Sequence, residues 1–301
     1  MDIIGFDLRK MPKPKKGLTL ALGDFDGFHR GHRALLVDAL FASDDYCGVL
    51  LFSQPFPGKG DYFLSSVADR LKWMGREPLD YAYVYQGDAS VYQLSPVEFI
   101  EKILVPLGTV KVVCGEDYHY GKGGKGDIEL LKKYFEVKVV PFVMDGDRKI
   151  STSYIKQHIS RGEMEAAKRL LGRPYGIVGK TVQGNRLGRN IGFPTLNLHC
   201  DFPYLYPKSG VYFCLAYFKG RYYKAMVNVG NNPTVGQGLP KTVEAHLLHY
   251  VNYDAHDDYG FTLYLDFIQM LRPEMKFDGL SALAAQLQKD KAAVEAIEDL
   301  N

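Results

Sequence analysis

The chain has 301 residues, of which 46% are hydrophobic and 24% charged, and its 37 basic and 35 acidic side chains give a formal net charge of +2. These values are typical of a globular protein of about two domains, and they exclude a disordered chain, a fibrous repeat and a disulfide-stabilised miniprotein. So balanced a charge also argues against a protein that binds nucleic acid through a broad basic surface.

The sequence contains no apolar stretch of the ~20 residues that a membrane-spanning helix needs. The segment from Met1 to Lys16 lacks the apolar core of a secretory signal. No two cysteines form a Cys-x-x-Cys pair, which indicates reduced thiols rather than a metal or redox motif. We therefore expect a cytoplasmic protein with no membrane partner and four free cysteines, Cys47, Cys114, Cys200 and Cys214.

The first half alternates short apolar runs with helical patterns, which favours a doubly wound parallel sheet. One helix has a clear start, because Ser95 can cap it, Pro96 suits its first position and Glu98 completes a capping box. The predicted strands are Leu18–Leu22, Cys47–Phe52, Tyr81–Tyr85, Val110–Cys114 and Val137–Val143. The predicted helices cover His32–Phe41, Ser66–Met74, Asp127–Phe135 and, within 151–172, two short segments broken at Gly162.

The second half changes character after Gly172, where helical periodicity gives way to short runs rich in Tyr, Phe and Val. This pattern predicts a small antiparallel barrel. The predicted domains are therefore 1–172 and 173–301. The predicted strands are Ile177–Val182, Val211–Phe218, Tyr222–Val229, Thr242–Leu248 and Phe261–Met270, and a closing helix over 280–298 would bury Leu280, Leu283, Leu287, Val294 and Ile297.

The turn between the first predicted strand and helix has a composition suited to phosphate. It runs from Gly23 to His32, and its glycines let the backbone approach a ligand closely. A helix N-terminus at the carboxyl end of a strand attracts anions, and His29 and His32 are spaced to face the same anion. Two alternatives remain at this point, namely that the two histidines bind a metal or that they are ordinary surface residues.

A second candidate site follows the first strand of the β-rich half. The segment from Gly184 to Asn197 combines glycines and arginines, which suit a phosphate-binding loop. Thr195 and Asn197 are two residues apart, so on an extended chain their oxygens point the same way and could hold Mg²⁺ together with a nucleotide. The alternative is a polar turn followed by a strand.

Glu244 is the one carboxylate in the apolar run Thr242–Leu248. The alternation of that run would turn Val243 and Ala245 toward the core, with Glu244 and His246 on the opposite face. A carboxylate beside a bound nucleotide could take the proton of an attacking hydroxyl. The alternative is a face that simply meets solvent.

The Gly23–His32 segment resembles the nucleotidyltransferase signature of the bacterial bifunctional riboflavin kinase/FAD synthetases, in which two histidines assist AMP transfer. Two later segments are also similar to that family, the Gly115–Gly123 loop and the run Ile150-Ser151-Thr152-Ser153-Tyr154-Ile155-Lys156. The family has Arg where Lys156 stands, and it has a His-containing turn where this chain has Phe52-Ser53-Gln54-Pro55-Phe56-Pro57. The resemblance implies catalytic roles for His29 and His32, and nucleotide contacts from Gly23, Phe25, Asp26, Gly27, Asp117, Ser151, Thr152 and Lys156.

The second half resembles the riboflavin kinase domain of the same family. The matching segments are Gly184–Asn197, Asn228–Thr234, the strand that contains Glu244, and Leu271–Phe277. The resemblance implies that Glu244 is the catalytic base and that Thr195 and Asn197 bind the metal. Nucleotide contacts would come from Gly188, Arg189, Gly192 and Pro194, and flavin contacts from Asn228, Arg272 and Phe277.

Together these resemblances imply an enzyme that phosphorylates riboflavin to FMN and adenylylates FMN to FAD, using ATP and Mg²⁺. Its partners would be small molecules, with no nucleic acid. Two alternatives stay open, because Lys156 and the altered turn depart from the family pattern. One is a riboflavin kinase whose first domain no longer adenylylates FMN, and the other is a flavin-binding regulator without turnover.

Overall fold

The chain divides into two units, Met1–Thr152 and Ser153–Asn301, and each is described by itself. The computed structural model describes residues 1–54, 56, 58, 60–184, 191–230, 241–251 and 258–297. The sequence-based boundary after Gly172 remains a prediction.

The first unit is built on a six-stranded sheet with the strand order β1-β4-β3-β2-β5-β6. All five pairings between neighbouring strands are parallel. The strands are β1 (Asp2–Phe6), β2 (Leu18–Leu22), β3 (Tyr46–Phe52), β4 (Tyr81–Tyr85), β5 (Thr109–Gly115) and β6 (Glu136–Val140). The helices are α1 (Arg30–Ala42), α2 (Val67–Met74), α3 (Pro96–Phe99, continued as a π-turn over Ile100–Leu104) and α4 (Ile128–Leu131), and a small hairpin pairs β7 (Met144–Asp145) with β8 (Arg148–Lys149).

Both faces of this sheet are covered, which explains why its central strands are apolar throughout. Leu20 and Leu50 belong to one buried cluster, whereas their neighbours Ala21 and Val49 belong to another on the opposite face. Every residue of β2 and β4 is buried. A parallel sheet buried on both faces is the doubly wound arrangement that the sequence predicts, and the prediction is confirmed.

The hairpin of β7 and β8 was not predicted, and three further elements of the first unit differ from the sequence-based expectation. The edge strand β1 was not predicted, because its apolar run is short and contains Gly5, a residue that is unfavourable in strands. The regular part of α4 is shorter than expected, since hydrogen bonds from Lys133 N to Leu130 O and from Tyr134 N to Leu131 O tighten the chain after Leu131. Strand β6 ends before Pro141, which has no N–H for the ladder.

The second unit is a closed barrel of six strands in the order β10-β13-β12-β11-β14-β9. Each pairing is antiparallel, and β9 closes the barrel by pairing with both β10 and β14. The strands are β9 (Tyr175–Val182), β10 (Leu196–His199), β11 (Gly210–Phe218), β12 (Arg221–Gly230), β13 (Thr242–Leu247) and β14 (Thr262–Pro273). The antiparallel barrel is confirmed, although the four-residue strand β10 was not predicted as a separate element.

Three helices accompany the barrel, α5 (Thr152–Arg161), α6 (Met164–Leu171) and α7 (Leu280–Glu295). Val294 of α7 packs in an apolar cluster with Phe213, Met226 and Ile268, and Leu287 and Ile297 lie at its margin. Leu280 was expected to be buried, but it is 59% exposed, because it is the first residue of the helix and follows Gly279 at φ 105°. The helix residues that are buried are Asp290 and Val294. In the described part of the chain, no helix has the length and apolarity to cross a membrane.

Candidate active sites

The first candidate site lies where β2 ends and α1 begins, at the carboxyl edge of the parallel sheet. Phe25 and Phe28 have positive φ angles of 56° and 37°, although neither is glycine. Both side chains are buried, and the Phe25 ring lies 5.3 Å from the ring of His32. Packing therefore holds the Gly23–His32 turn in a conformation that is costly for bulky residues, and such conformations concentrate at functional sites.

His29 and His32 lie against each other at the N-terminus of α1. Their rings are stacked with centroids 3.6 Å apart. His29 caps the helix, because its Nδ1 accepts a hydrogen bond of 3.3 Å from the backbone N–H of His32. In the neutral ring the hydrogen is therefore on Nε2, which makes Nε2 the donor of His29. A β-carbon at Gly31 would lie 3.1 Å from the His29 ring, so Gly31 leaves room for it.

The sequence placed Asp26 among the nucleotide contacts, and the structure places its carboxylate inside the protein. Asp26 is 3% exposed. Its carboxylate accepts hydrogen bonds from Leu64 N and from both the N–H and the hydroxyl of Ser65. Asp26 therefore joins the Gly23–His32 turn to the segment before α2.

Further contacts fix the backbone of the same turn. Ser65 Oγ accepts from Gly27 N at 2.7 Å, and the Arg70 guanidinium donates to the carbonyl of Asp24 at 2.9 Å. The hydroxyl of Thr152 donates to the carbonyl of Asp26 at 3.0 Å. Ser65 and Arg70 were not predicted as site residues, because partners about 40 residues apart leave no mark on local spacing.

Aromatic side chains gather beside this turn at the same edge of the sheet. The rings of Phe56 and Tyr92 lie 4.8 Å apart, and the Tyr92 hydroxyl donates to the carbonyl of Gln54 at 2.5 Å. Burial and the charge of Asp24 raise the pKa of Tyr92, and burial chiefly raises the pKa of Tyr118. These phenols are therefore neutral at physiological pH and offer flat, partly polar surfaces.

The other predicted residues of the first site are spread along the chain. Asp117 follows β5 and forms an ion pair with Lys149, whose ammonium lies 4.3 Å from the Phe142 ring centre. Ser151 directly precedes α5, and Thr152 is its first residue. Lys156 is partly exposed and lies four residues after Thr152 on the same helix. Lys149 was not predicted, and only its position before Ile150 could have indicated it.

The second candidate site lies on the outer face of the barrel. The strand register sets Glu244 of β13 opposite Asn197 of β10 on one side and opposite Asn228 of β12 on the other. The three side chains therefore form one row across three adjacent strands, as expected for directly paired residues. Val243 and Ala245 are buried, so the predicted alternation of this strand is confirmed.

Glu244 and Thr195 are in direct contact. The Thr195 hydroxyl donates to the carboxylate of Glu244 at 3.4 Å. Burial raises the pKa of Glu244 above its ordinary value, and the hydrogen bond from Thr195 opposes part of that effect. A half-buried carboxylate with a raised pKa is better matched to accepting a proton than an exposed one.

Contacts with Gly184 and with His246 fix the position of the segment that leads into β10. A β-carbon at Gly184 would lie 2.1 Å from Nδ2 of Asn197, so this position requires glycine for the observed side chain. The carbonyl of Pro194 accepts from Nδ1 of His246 at 2.8 Å. Burial lowers the pKa of His246. Gly192 has a φ of 81°, a region that glycine adopts at little cost.

Two of the predicted flavin residues, Arg272 at the end of β14 and Phe277 in the segment before α7, lie near each other. The Arg272 guanidinium makes a two-point ion pair with Asp290, with Nε–Oδ2 at 2.9 Å and Nη2–Oδ2 at 2.8 Å. It also lies 5.6 Å from the Phe277 ring centre. Asn228 is exposed beside Glu244. Gly188 and Arg189 lie outside the described residues, as do 231–234 of the Asn228–Thr234 motif.

The oxygens around Glu244 fit a magnesium ion that arrives with a nucleotide. The hydroxyl of Thr195 and the side-chain amide of Asn197 lie beside the carboxylate of Glu244. Mg²⁺ that binds with a nucleotide is usually held by few protein ligands together with the substrate phosphates, rather than by a complete protein cage. Within the described ranges, no group of three or more His, Cys, Asp or Glu could hold a metal ion alone.

Comparison with known proteins identifies similar chains over nearly the whole length. A family model described as riboflavin kinase matches residues 171–298, and one described as FAD synthetase matches residues 11–154. A bifunctional riboflavin kinase/FMN adenylyltransferase from Listeria monocytogenes is 35% identical, over 92% of this chain and 91% of its own. The protein of that name from Bacillus subtilis is 30% identical, over 91% and 90%.

One solved structure is similar across both units. It is a crystal structure from Streptococcus pneumoniae described as a macrolide-efflux protein, with a TM-score of 0.86 and 29% identity. It covers 98% of this chain and 100% of its own.

Proposed function

Because the chain belongs to the bifunctional riboflavin kinase/FMN adenylyltransferase family, we propose that it converts riboflavin to FMN in the barrel and FMN to FAD in the first unit. Both reactions consume ATP, and the proposal keeps the cytoplasmic location that the sequence predicts. Its partners are then ATP, riboflavin and FMN.

In the kinase step, the terminal ribityl hydroxyl of riboflavin attacks the γ-phosphorus of ATP, and ADP leaves. Glu244 accepts the proton of that hydroxyl, and its raised pKa suits the task. Thr195 and Asn197 would hold Mg²⁺ together with the ATP phosphates beside Glu244, with Gly188, Arg189, Gly192 and Pro194 as further candidate nucleotide contacts. When bound, the metal would neutralise charge on the phosphates.

The flavin of the kinase step is assigned to the other side of Glu244. Asn228 pairs directly with Glu244 in the strand register, which supports a contact with the ribityl chain. Arg272 at the end of β14 and Phe277 in the segment before α7 lie near each other and offer a cation and an aromatic face. These two residues would close the flavin site.

In the adenylyl-transfer step, a phosphate oxygen of FMN attacks the α-phosphorus of ATP, and pyrophosphate leaves. His29 and His32 donate to the phosphate oxygens, on which negative charge builds as the bond forms. Their stacked rings at the N-terminus of α1 support this role. Gly23, Phe25 and Gly27 shape the turn, and Asp117, Ser151, Thr152 and Lys156 are further candidate nucleotide contacts.

Two assignments in the first unit come from its geometry. Asp26 acts as a positioning residue, because its carboxylate is occupied by Leu64 and Ser65. Phe56, Tyr92 and Tyr118 are candidate stacking surfaces for the flavin ring of FMN, because they lie at the carboxyl edge where α/β sheets bind ligands.

One observation carries the proposal. Glu244 lies between Asn197 and Asn228 on three adjacent strands, and its carboxylate accepts a hydrogen bond from the Thr195 hydroxyl. The purified chain should be incubated with riboflavin, ATP and Mg²⁺, and the flavins separated by chromatography. We expect FMN to accumulate first and FAD to follow. FMN without FAD would support a kinase with an inactive first domain, and bound flavin without either product would support a non-catalytic binding protein.

A further inference from the structure

His246 lies close to the proposed kinase site but outside the residues assigned to it. It is two residues after Glu244 on β13, so both side chains leave the same face of the strand. Its ring lies 5.2 Å from the ring of Phe193. Its Nδ1 lies 2.8 Å from the carbonyl oxygen of Pro194. A carbonyl oxygen only accepts, so Nδ1 carries the hydrogen of this bond.

His246 contacts Phe193 and Pro194, and these are the two residues immediately before Thr195 in the chain. Phe193 is 3% exposed and belongs to the apolar cluster under α7. Pro194 has no N–H, so its carbonyl is its only backbone hydrogen-bonding group. The contact with His246 therefore fixes the chain one residue before the hydroxyl that meets Glu244 at 3.4 Å.

We propose that His246 is a positioning residue for MgATP in the kinase reaction. Through Phe193 and Pro194 it holds the Thr195–Asn197 segment at a fixed distance from Glu244, so that the metal-bound phosphates meet the base in one arrangement. The inference rests on the proposed kinase function. It differs from the role of Glu244, because His246 itself touches neither the phosphates nor the flavin.

The test uses the full-length chain with three replacements of the same side chain. His246→Leu removes the donor, and His246→Asn keeps an N–H near the place of Nδ1. His246→Asp has the shape of Asn but sets a carboxylate against the Pro194 carbonyl. His199→Leu is the matched control, because His199 lies on β10 with a side chain that is 66% exposed.

We expect His246→Leu to raise the KM for MgATP in FMN formation about tenfold, which equals about 1.4 kcal/mol, with a smaller change in kcat. His246→Asn should recover most of this loss, whereas His246→Asp should not. FAD formation from supplied FMN, measured on the same samples, should be unchanged in all variants. Equal increases in the KM values for MgATP and riboflavin would indicate a general structural effect and overturn the proposal.

Hydrogen exchange of a peptide covering residues 193–199, without substrates, provides a readout that does not depend on turnover. His246→Leu should speed exchange there, and His246→Asn should restore the wild-type rate. Unchanged exchange would mean that His246 does not hold the segment, and faster exchange with an unchanged KM for MgATP would mean that the contact has no role in nucleotide binding. Each result overturns the inference. A wild-type chain that forms no FMN would instead contradict the kinase function, whatever the exchange rates.

Discussion

At the scale of single residues, Glu244 combines a chemical role with a cost to stability. Burial raises its pKa in the folded chain above the ordinary value of 4.5. The folded state therefore binds a proton at pH values at which the unfolded state has already lost it. Stability falls as the pH rises from the ordinary value through the folded-state pKa, because the ionised carboxylate is less well solvated in the barrel.

Replacing Glu244 with Gln should therefore stabilise the barrel while it impairs the kinase. We expect the Tm of the barrel at pH 8 to rise by about 1–3 °C, with the difference from wild type disappearing below pH 4.5. Thermal unfolding followed from pH 4 to pH 8 measures the effect. A Tm difference that is the same at every pH would show that ionisation of Glu244 is not its cause.

Gly184 controls the proposed metal-binding side chain of Asn197 by leaving space for it. A β-carbon there would lie 2.1 Å from Asn197 Nδ2. Gly184→Ala should therefore displace Asn197 and raise the KM for MgATP in FMN formation at least tenfold, as steady-state kinetics can measure.

The control for Gly184 is a double-variant cycle. If Gly184 acts only through Asn197, adding Gly184→Ala to Asn197→Ala should cause no further loss. A double variant much weaker than Asn197→Ala alone would show that the glycine affects the site by another route.

At the scale of elements, the first site depends on how the turn between β2 and α1 is joined to the segment before α2. Asp26 makes that connection with a buried carboxylate and several donors. Removing a buried charged acceptor leaves its donors unsatisfied and costs about 1–3 kcal/mol for each donor.

We expect Asp26→Ala to destabilise the first unit by about 3 kcal/mol and to reduce FAD formation from FMN. Chemical unfolding and chromatography of the products measure the two effects. Asp61→Ala, at an exposed position in the same unit, is the control and should leave both unchanged. If the Asp26→Ala protein is stable but fails to bind ATP, Asp26 contacts the nucleotide and does not act only by positioning the turn.

Helix α7 is joined to β14 through the ion pair of Arg272 and Asp290, whose side chains are 13% and 5% exposed. Removing one partner of a buried pair typically costs about 3–5 kcal/mol, whereas replacing both with apolar residues is often neutral. Loss of one partner should therefore lower the stability much more than replacement of both partners.

Asp290→Leu alone should destabilise the barrel by about 3–5 kcal/mol, and Arg272→Leu with Asp290→Leu should recover most of that loss. If Arg272 also contacts the flavin, the double variant should keep a raised KM for riboflavin. Unfolding and kinetics on the same proteins separate the two roles. A normal KM for riboflavin in the stable double variant would limit Arg272 to the ion pair.

At the scale of the whole molecule, the two reactions are assigned to different units, and the diffusible product FMN of the first reaction is the substrate of the second. Glu244→Gln should lower FMN formation ~10²–10⁴-fold and leave FAD formation from FMN unchanged. His29→Ala should have the reverse effect.

An equimolar mixture of the Glu244→Gln and His29→Ala proteins should then convert riboflavin to FAD, because FMN released by one chain is used by the other. Time courses of the mixture and of each variant alone measure this. FMN accumulation without FAD in the mixture would mean that FMN does not pass between chains.

The sequence by itself determined the class of both units and the location of their motifs. Alternation of strands and helices, the capping box at Ser95 and the β-rich half are local patterns, because they depend on spacing along the chain. The family resemblance rests on motifs such as Gly23–His32, and the similar proteins confirm it. Glu244 could be selected because it is the one carboxylate in an apolar strand.

Only the tertiary structure decided which side chains meet. The contacts of Asp26 with Ser65, of Arg272 with Asp290 and of His246 with Pro194 join segments separated by 39, 18 and 52 residues. No local periodicity encodes such pairs, because chain folding brings them together. The edge strand β1 was also not predicted, because the short run Ile3-Ile4-Gly5-Phe6 is a weak signal and its pairing with β4 is what establishes it as a strand.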